Sequence, residues 1–533
     1  MTSTIDSAVL SVEQAARLTP EQIVELLRSH TTLREEVSAL KHQLEWFKRQ
    51  LFGQKSERRI IESAPRQMSL GEALDQAQTG VAPEPKSRRI DAHTRRVTTK
   101  RPEADEDSVP FFDETRVPME VIEVPAPEVA GLAADQFEII GHKESFRLAQ
   151  RPGSYVVLKY RRPVIKRKDT QVITCPSAPV GVIDQSRADV SFVTGLLIDK
   201  FAYHLPLYRQ HQRLADSHVT VSRAWLTQIA QKGVALLEPI YEAQLDSIRA
   251  SRVKAMDETS VKAGRAQAGK LKQGYFWPVY GERDEVCFPF FDNRSGHSIE
   301  AVLGLKATEG GVLLTDGYDP YATYAQKIGI THAQCWAHAR RKVFEAQDAE
   351  PKIAAEALDM IGALYAVEAD IRDKRLAGAS KLDYRLMHAK PIAERYFAWI
   401  KQQIESLGLL PSNPMIGALN YSHTRRWGLE VYLTDPEVPI DNNQLERALR
   451  VIPMGKKAWL FCWTELGARH VGIMQSLIVT CKLHDIDPYD YLVDVLQRVG
   501  QHPASRVHEL TPRLWKQHFA ADPLRSALHT RKL

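Results

Sequence analysis

The sequence predicts an α+β multidomain protein, and three patterns carry that expectation. Apolar residues recur at heptad spacing over 18–52, short β-prone runs fill 119–175, and strand-like runs then mix with helical ones from 252 onward. That last region is interrupted by a long helical block, 351–435, before a final polar-capped helix. Length agrees: 533 residues suggest about three or more domains at roughly 150 residues each. At 44% hydrophobic and 26% charged, the composition suits folded cores over most of the chain.

In the first segment Leu26, Leu33, Leu40 and Phe47 repeat every seven residues, with His30, Val37, Leu44 and Leu51 interleaved. A seam sustained this long predicts a coiled coil over 18–58, hence a homo-oligomer, at least a dimer. One amphipathic helix packed on its own domain is the alternative. Residues 62–117, rich in Pro, Ala and charge, read as a partly disordered linker. The runs "EVIEV", "FEII" and "SYVVLKY" predict a small β domain over 118–185. Three helical patterns follow over 190–240, the last two separated by the short "DSHVTVS", after which Ser222 can cap a helix opening at Arg223. That order suits a helix-turn-helix, with Arg223 as a candidate DNA contact; many helical hairpins of this kind bind nothing.

Net charge is only +5, but it is unevenly spread. Residues 86–101 hold seven Lys/Arg against one Asp, and 159–168 hold six against none. Such blocks suit a polyanion partner, or a solvated linker and strand. Five scattered cysteines without a CxxC argue against a disulfide framework and against a cysteine zinc site, so no zinc is expected. No apolar run approaches the roughly 18 residues of a membrane span, and the N-terminus lacks the order of a signal peptide. A cytoplasmic protein without membrane association is expected.

Strand-like runs at "RVKAMDETSV", "GYFWPVYG", "EVCFPFFD" and "GGVLLTDGY" place the mixed α/β unit at 250–345. A helical insertion is expected over 346–438, the last core helix over 439–475 and a helical tail over 476–533. Two of these strands carry an acid where packing prefers an apolar residue. Asp257 falls on the face of Val253 and Ala255, inside its strand, and Asp316 abruptly ends an apolar run. A carboxylate at such a place is costly unless bonded or holding a metal; a turn or cap is the ordinary explanation. In "IDNNQLERALR", Asp441 reads as an N-cap with Gln444 completing a capping box, and Leu445, Leu449 and Ile452 form an apolar stripe. Glu446 is then either a surface partner of Arg450 or a carboxylate aimed into a site. Taken together, Asp257, Asp316 and Glu446 form an ordered acidic set suited to Mg²⁺ or Mn²⁺, two such ions being able to drive phosphoryl transfer.

"MDETSV", "LLTDGYDPY", "CWAHARRKVFE" and "IDNNQLERALRVIPMGKKAWLF" resemble the catalytic segments of the insertion-sequence 66 family of bacterial DDE transposases. "LKHQLEWFKRQLFGQKSERR" is similar to the family's leucine-zipper end, "LLIDKFAYHLPLYRQ" to its helix-turn-helix region, and "CKLHDIDPYDYLVDVL" to its C-terminal tail. The resemblance runs in order through nearly the whole chain. It implies an RNase H-like core with a helical insertion, and Asp257, Asp316 and Glu446 as the catalytic, metal-binding triad. The implied reaction is cleavage at transposon ends and joining of the freed 3′-hydroxyl to target DNA. Partners would be double-stranded DNA, as terminal repeats and target, and accessory proteins of the same element. The paired cysteines usual in the family's small domain are absent, so its zinc ligands are lost here. Arg340, Arg341 and Lys342, and Arg450, Lys456 and Lys457, are candidate phosphate contacts, or plain surface charge. His338 can sit near the metal site, although a lone histidine is more often structural; Trp459 and Trp463 can stack a flipped base, although ordinary core packing is the commoner reading of "KKAWLFCW". A catalytically lapsed DNA-binding protein and an RNase H-like nuclease are the competing functions.

Overall fold

The computed structural model describes Thr19 and residues 111–530, except 113, 116, 130–132, 134, 135, 152, 268, 269 and 407–411. The expected coiled coil and nearly all of the expected linker lie outside the described residues. From there the chain builds a small sheet. Strand β1 (Met119–Glu123) runs parallel to β3 (Ser154–Arg167), which pairs antiparallel with β2 (Phe137–Arg151) and with the short β4 (Ile173–Thr174). Gly153 turns the β2–β3 hairpin at φ 82°, a conformation glycine adopts without steric cost. The basic residues of β3 are largely paired: Lys159 with Glu144 at 2.9 Å, Arg161 with Glu123 at 2.9 Å and Arg167 with Asp169 at 2.7 Å. The strand therefore offers less free positive charge than its sequence suggests.

Three helices follow, α1 (Val190–Phe201), α2 (Leu207–Asp216) and α3 (Arg223–Ala250). Between α2 and α3, His218 takes φ 60°, Val219 is buried, and the His211 ring lies 2.8 Å from the Val221 carbonyl. The Ser222 hydroxyl accepts the Trp225 N–H at 3.1 Å, satisfying one of the donors a helix start leaves free. This is helix, tight turn and capped helix.

The main sheet orders its strands β12-β11-β5-β8-β9. Here β5 is Val253–Met256, β8 Val279–Gly281, β9 Glu285–Cys287, β11 Val312–Thr315 and β12 Thr331–Gln334. Strands β5, β8 and β9 are antiparallel neighbours, whereas β11 and β12 run parallel to β5. Parallel neighbours need crossovers, supplied by α4 (Gly296–Leu303) and α5 (Asp319–Ile328). A separate sheet joins β6 (Thr259–Gln267), β7 (Lys270–Phe276) and β10 (Phe290–Phe291). All four residues of β11 are buried, as expected for a strand covered on both faces. The misfit is Lys254 in β5, 4% exposed. Its Nζ donates to the carbonyls of Arg249 and Ser251 and to the Thr308 hydroxyl, which replaces water around the charge.

After β12 comes α6 (Trp336–Glu345), and then the helical block α7 (Pro351–Asp373), α8 (Gly378–Tyr384), α9 (Lys390–Ser406), α10 (Pro414–Thr424) and α11 (Arg426–Glu430). These helices share a core of Ala357, Ile361, Leu364, Tyr396, Phe397 and Leu419 with Trp336 of α6. Inside it lies Arg385, fully buried, which donates to both oxygens of Glu368 at 2.7 and 2.9 Å and to the carbonyls of Tyr432 (2.8 Å) and Val438 (3.0 Å). The chain then returns through α12 (Asn443–Leu449) and α13 (Val451–Trp459), and ends in α14 (Glu465–Leu483), α15 (Pro488–Arg498), α16 (Pro512–His518) and α17 (Ala527–Thr530). None of the described helices is long and apolar enough to cross a membrane.

Two local expectations are corrected. The helix after residue 440 does not start from Asp441 with a capping box; Asn442 is its N-cap and makes no side-chain cap bond. Nor does it run unbroken through Ile452, because it stops at Arg450 before α13 begins. Pro453 has no N–H to continue the ladder, and proline is tolerated only near a fresh helix start.

Candidate metal centre at the strand ends

Asp257 does not lie inside its strand as the alternation suggested; it is the first residue beyond β5. Asp316 likewise follows β11. The β5–β11 register pairs Ala255 with Leu314, so two residues on, both carboxylates leave the same edge of the sheet. The carboxyl ends of adjacent parallel strands are where open α/β sheets form sites. Each Asp is anchored by backbone: Asp257 Oδ1 accepts the Glu258 N–H at 2.8 Å, and Asp316 Oδ1 accepts the Tyr318 N–H at 3.0 Å.

Glu446 reaches the same place through α12. The polar residues before it are spent on docking. The Trp336 N–H donates to the Ile440 carbonyl at 3.1 Å, the Cys335 thiol to Asn442 Oδ1 at 3.0 Å, and the Tyr365 hydroxyl to Asp441 Oδ2 at 2.8 Å. These bonds tie the start of α12 to the start of α6 and to α7. They also explain why Asp441 does not cap as expected, although its Oδ1 still accepts the Asn443 N–H at 3.0 Å. Glu446 thereby faces α6, where Arg341 Nη2 donates to both of its oxygens at 3.2 Å. Among the described residues no ion pair joins Glu446 to Arg450; the partner is Arg341, from a different helix.

Asp257, His338 and Glu446 each offer a ligand atom within 4.8 Å of the others, and all three are half-buried. Asp316 falls outside this close group, yet its charge bears on Asp257. Burial, then the charges of Glu258, Asp316 and Glu446, push the Asp257 carboxyl up to about 7. Burial and like charge both disfavour the ionised form here, so a cation bound among these groups would favour it. Burial draws the His338 imidazole below its ordinary value. Glu258, next to Asp257, is engaged elsewhere: Arg294 Nε donates to one oxygen at 2.8 Å and the Tyr321 hydroxyl to the other at 2.7 Å.

The basic candidates are spread over three places. Arg340, Arg341 and Lys342 are exposed on α6, with Lys342 3.8 Å from Glu345. Arg450 and Lys457 are exposed, whereas Lys456 Nζ donates to the Ser260 carbonyl at 2.6 Å. Arg223 is exposed at the start of α3, in a groove shared with Tyr208, His211 and Gln212. Trp459 packs partly on the core, but Trp463, expected inside, is 58% exposed. Leu460 at φ 62° reverses the chain there and turns Trp463 outward, where Arg265 lies over its ring at 5.5 Å.

His338, for which a structural role was the commoner expectation, lies in the close group with Asp257 and Glu446, and Arg425 was not among the expected site residues. Arg425 Nη2 donates to the Gly317 carbonyl, immediately after Asp316, at 3.0 Å across 108 residues of chain. Its side chain fills the space that a Cβ on Gly317 would take, so the glycine in "TDGYD" was the available signal. Trp427, two residues further, is 85% exposed.

The chain matches the family model described as "Transposase IS66 family" over residues 185–470. It matches "IS66 C-terminal element" over 476–513 and "Transposase C of IS166 homeodomain" over 39–107. Among curated proteins it is similar to the uncharacterized protein y4hP of Sinorhizobium fredii, 27% identical over 521 residues, covering 92% of this chain and 91% of that one. The uncharacterized protein y4qI of the same organism is 29% identical over 409 residues, 73% of this chain and 74% of its own.

Proposed function

The chain belongs to the IS66 transposase family, and on that premise we propose that it cuts and joins DNA by metal-dependent phosphoryl transfer, with Asp257, Asp316 and Glu446 as the catalytic carboxylates. One observation carries the reading: two strand-end aspartates leave the sheet side by side, and the glutamate of a third element comes within 4.8 Å of the first of them. The mixed sheet, three antiparallel strands followed by two parallel ones, supports an RNase H-like core. The donor set fits a divalent cation, since hard carboxylate oxygens of Asp257 and Glu446 converge with the His338 ring. Mg²⁺ or Mn²⁺ there would activate an attacking oxygen and neutralise charge on the phosphate.

The protein's own groups do the positioning. Backbone N–H bonds fix the two aspartates, and the docked start of α12 fixes Glu446. Arg340, Arg341 and Lys342 line one side as phosphate contacts. The α2–α3 unit with Arg223, and Lys456 and Lys457 beyond Glu446, extend the DNA surface. The N-terminal segment would pair two copies through its heptads, holding two transposon ends together.

The test is a cleavage and joining assay on labelled DNA carrying the ends of the encoding element, with Mg²⁺ or Mn²⁺. Asp257→Ala, Asp316→Ala and Glu446→Ala should each lose products while keeping DNA binding. Products that survive Glu446→Ala would overturn the triad. Specific binding without products in the parent would favour a lapsed enzyme, and cleavage without joining a nuclease.

A further inference from the structure

We propose that His338 is a nitrogen ligand of the divalent cation, and that it makes this centre favour Mn²⁺ over Mg²⁺; the inference rests on the metal-binding reading above. His338 is held by a rigid helix. Its neighbours Trp336 and Ala339 are fully buried, and Trp336 Nε1 donates to the Leu429 carbonyl at 2.8 Å. The ring is thus fixed beside Asp257 and Glu446.

Among the described residues neither ring nitrogen makes a hydrogen bond, and Nε2 has only a long ion-pair contact with Glu446. Nδ1 is buried with no hydrogen bond. Nε2 lies 3.6 Å from Glu446 Oε1, with only 13% of the side chain exposed, and that separation is beyond a hydrogen bond. A histidine that merely braced Glu446 would close that distance. Leaving buried polar atoms unpaired costs free energy, and a bound cation would remove that cost at whichever nitrogen faces it.

The donor set then decides the ion. Mg²⁺ takes oxygen ligands in strict octahedral geometry. Imidazole is a better ligand for first-row divalent ions than for Mg²⁺, and carboxylates suit Mg²⁺, Ca²⁺ and Mn²⁺ alike. Of the two ions suited to the carboxylates of a phosphoryl-transfer centre, Mg²⁺ and Mn²⁺, the added nitrogen therefore favours Mn²⁺.

The experiment is pulsed electron paramagnetic resonance of Mn²⁺ on the full chain, with Mg²⁺ competition, for the parent, His338→Gln and Asp257→Asn. The parent spectrum should show a nitrogen hyperfine coupling on bound Mn²⁺. His338→Gln should lose that coupling and about tenfold or more of the preference for Mn²⁺ over Mg²⁺. Bound Mn²⁺ without nitrogen coupling in the parent overturns the inference, and needs no variant to fold. If Asp257→Asn abolishes Mn²⁺ binding in that case, the metal reading stands and only the histidine falls. If Asp257→Asn binds as the parent does, the metal reading itself falls.

Discussion

Replacing Glu368 with alanine should disturb the proposed carboxylate set from inside the helical block, without touching any candidate site residue. Arg385 is fully buried and Glu368 nearly so, with side-chain exposures of 0% and 10%. The same guanidinium holds the carbonyls of Tyr432 and Val438, in the segment that leads directly to Ile440, Asp441 and Asn442. Removing one partner of a buried pair costs about 3–5 kcal/mol, because the other charge is left unpaired. At about 1.4 kcal/mol per factor of ten, local opening should rise roughly two to three and a half orders of magnitude. Hydrogen exchange read by mass spectrometry reports this at the Thr434 and Val438 amides, which bond to Val431 and Asp435, and at Trp336, which bonds to Ile440. Arg506→Ala is the control: it removes an ion pair whose arginine is 62% exposed, worth at most about 1 kcal/mol. Exchange within tenfold of the parent at those three amides in Glu368→Ala would refute the reasoning, as would an equal effect in the β2–β3 hairpin.

Three further outcomes follow from other parts of the molecule. Asp257→Asn removes a buried charge from among Glu258, Asp316 and Glu446, so in chelator it should raise thermal stability by about 1–3 kcal/mol while abolishing stabilisation by Mn²⁺; a lower melting temperature in chelator would contradict the crowding. His470 is held at about 4 by burial and then by the Lys200 charge. The unfolded histidine takes its proton near 6.5, so the folded state binds fewer protons in between. Stability is complete above 6.5 and is lost as pH falls toward 4, by up to about 3 kcal/mol. His470→Gln should flatten that part of the profile in melts from pH 7 to 4, and an unchanged slope would exclude His470 as its source. Gly472 of α14 packs directly on the Phe288 carbonyl, where a Cβ would fall far inside contact distance. Because backbone cannot swing aside, Gly472→Ala should cost about 1–3 kcal/mol or more, and a denaturation midpoint equal to the parent's would show the helix free to shift.

What could be read from the sequence was what local pattern encodes. The apolar run of β11 ends in Asp316-Gly317, which marked a strand-end carboxylate, and Asp257 stood out as an acid on an apolar face although its strand ends one residue earlier than the alternation suggests. The short "DSHVTVS" and Ser222 marked the turn between α2 and α3 for the same reason, since capping is decided within a few residues. What was misread depends on partners far along the chain. Asp441 looks like a cap, but Tyr365 claims one of its oxygens. Trp463 stands in "KKAWLFCW", which reads as core, yet one residue at positive φ turns it outward. His338 had no periodic cue, and its meaning comes only from Glu446, 108 positions later in sequence and on another helix.

The helical block separates Glu446 from Asp257 and Asp316 in sequence, and the bonds show how the chain is brought back. Arg385 gathers the returning strand of chain at Tyr432 and Val438. Tyr365 of α7 then takes Asp441, and Cys335 at the start of α6 takes Asn442. Glu446 is therefore located by the helical block as much as by the sheet, whereas Asp257 is located by the sheet. On the other side, Arg425 at the junction of α10 and α11 holds the carbonyl beside Asp316. The block thus grips the two ends of the acidic set independently. Anything that shifts the insertion against the sheet must move Glu446 relative to Asp257, so the stability of a domain carrying none of the three carboxylates sets the precision of all of them. The Glu368→Ala measurement tests that coupling, since it weakens only the insertion's own ion pair and asks whether residues on the path to Glu446 respond.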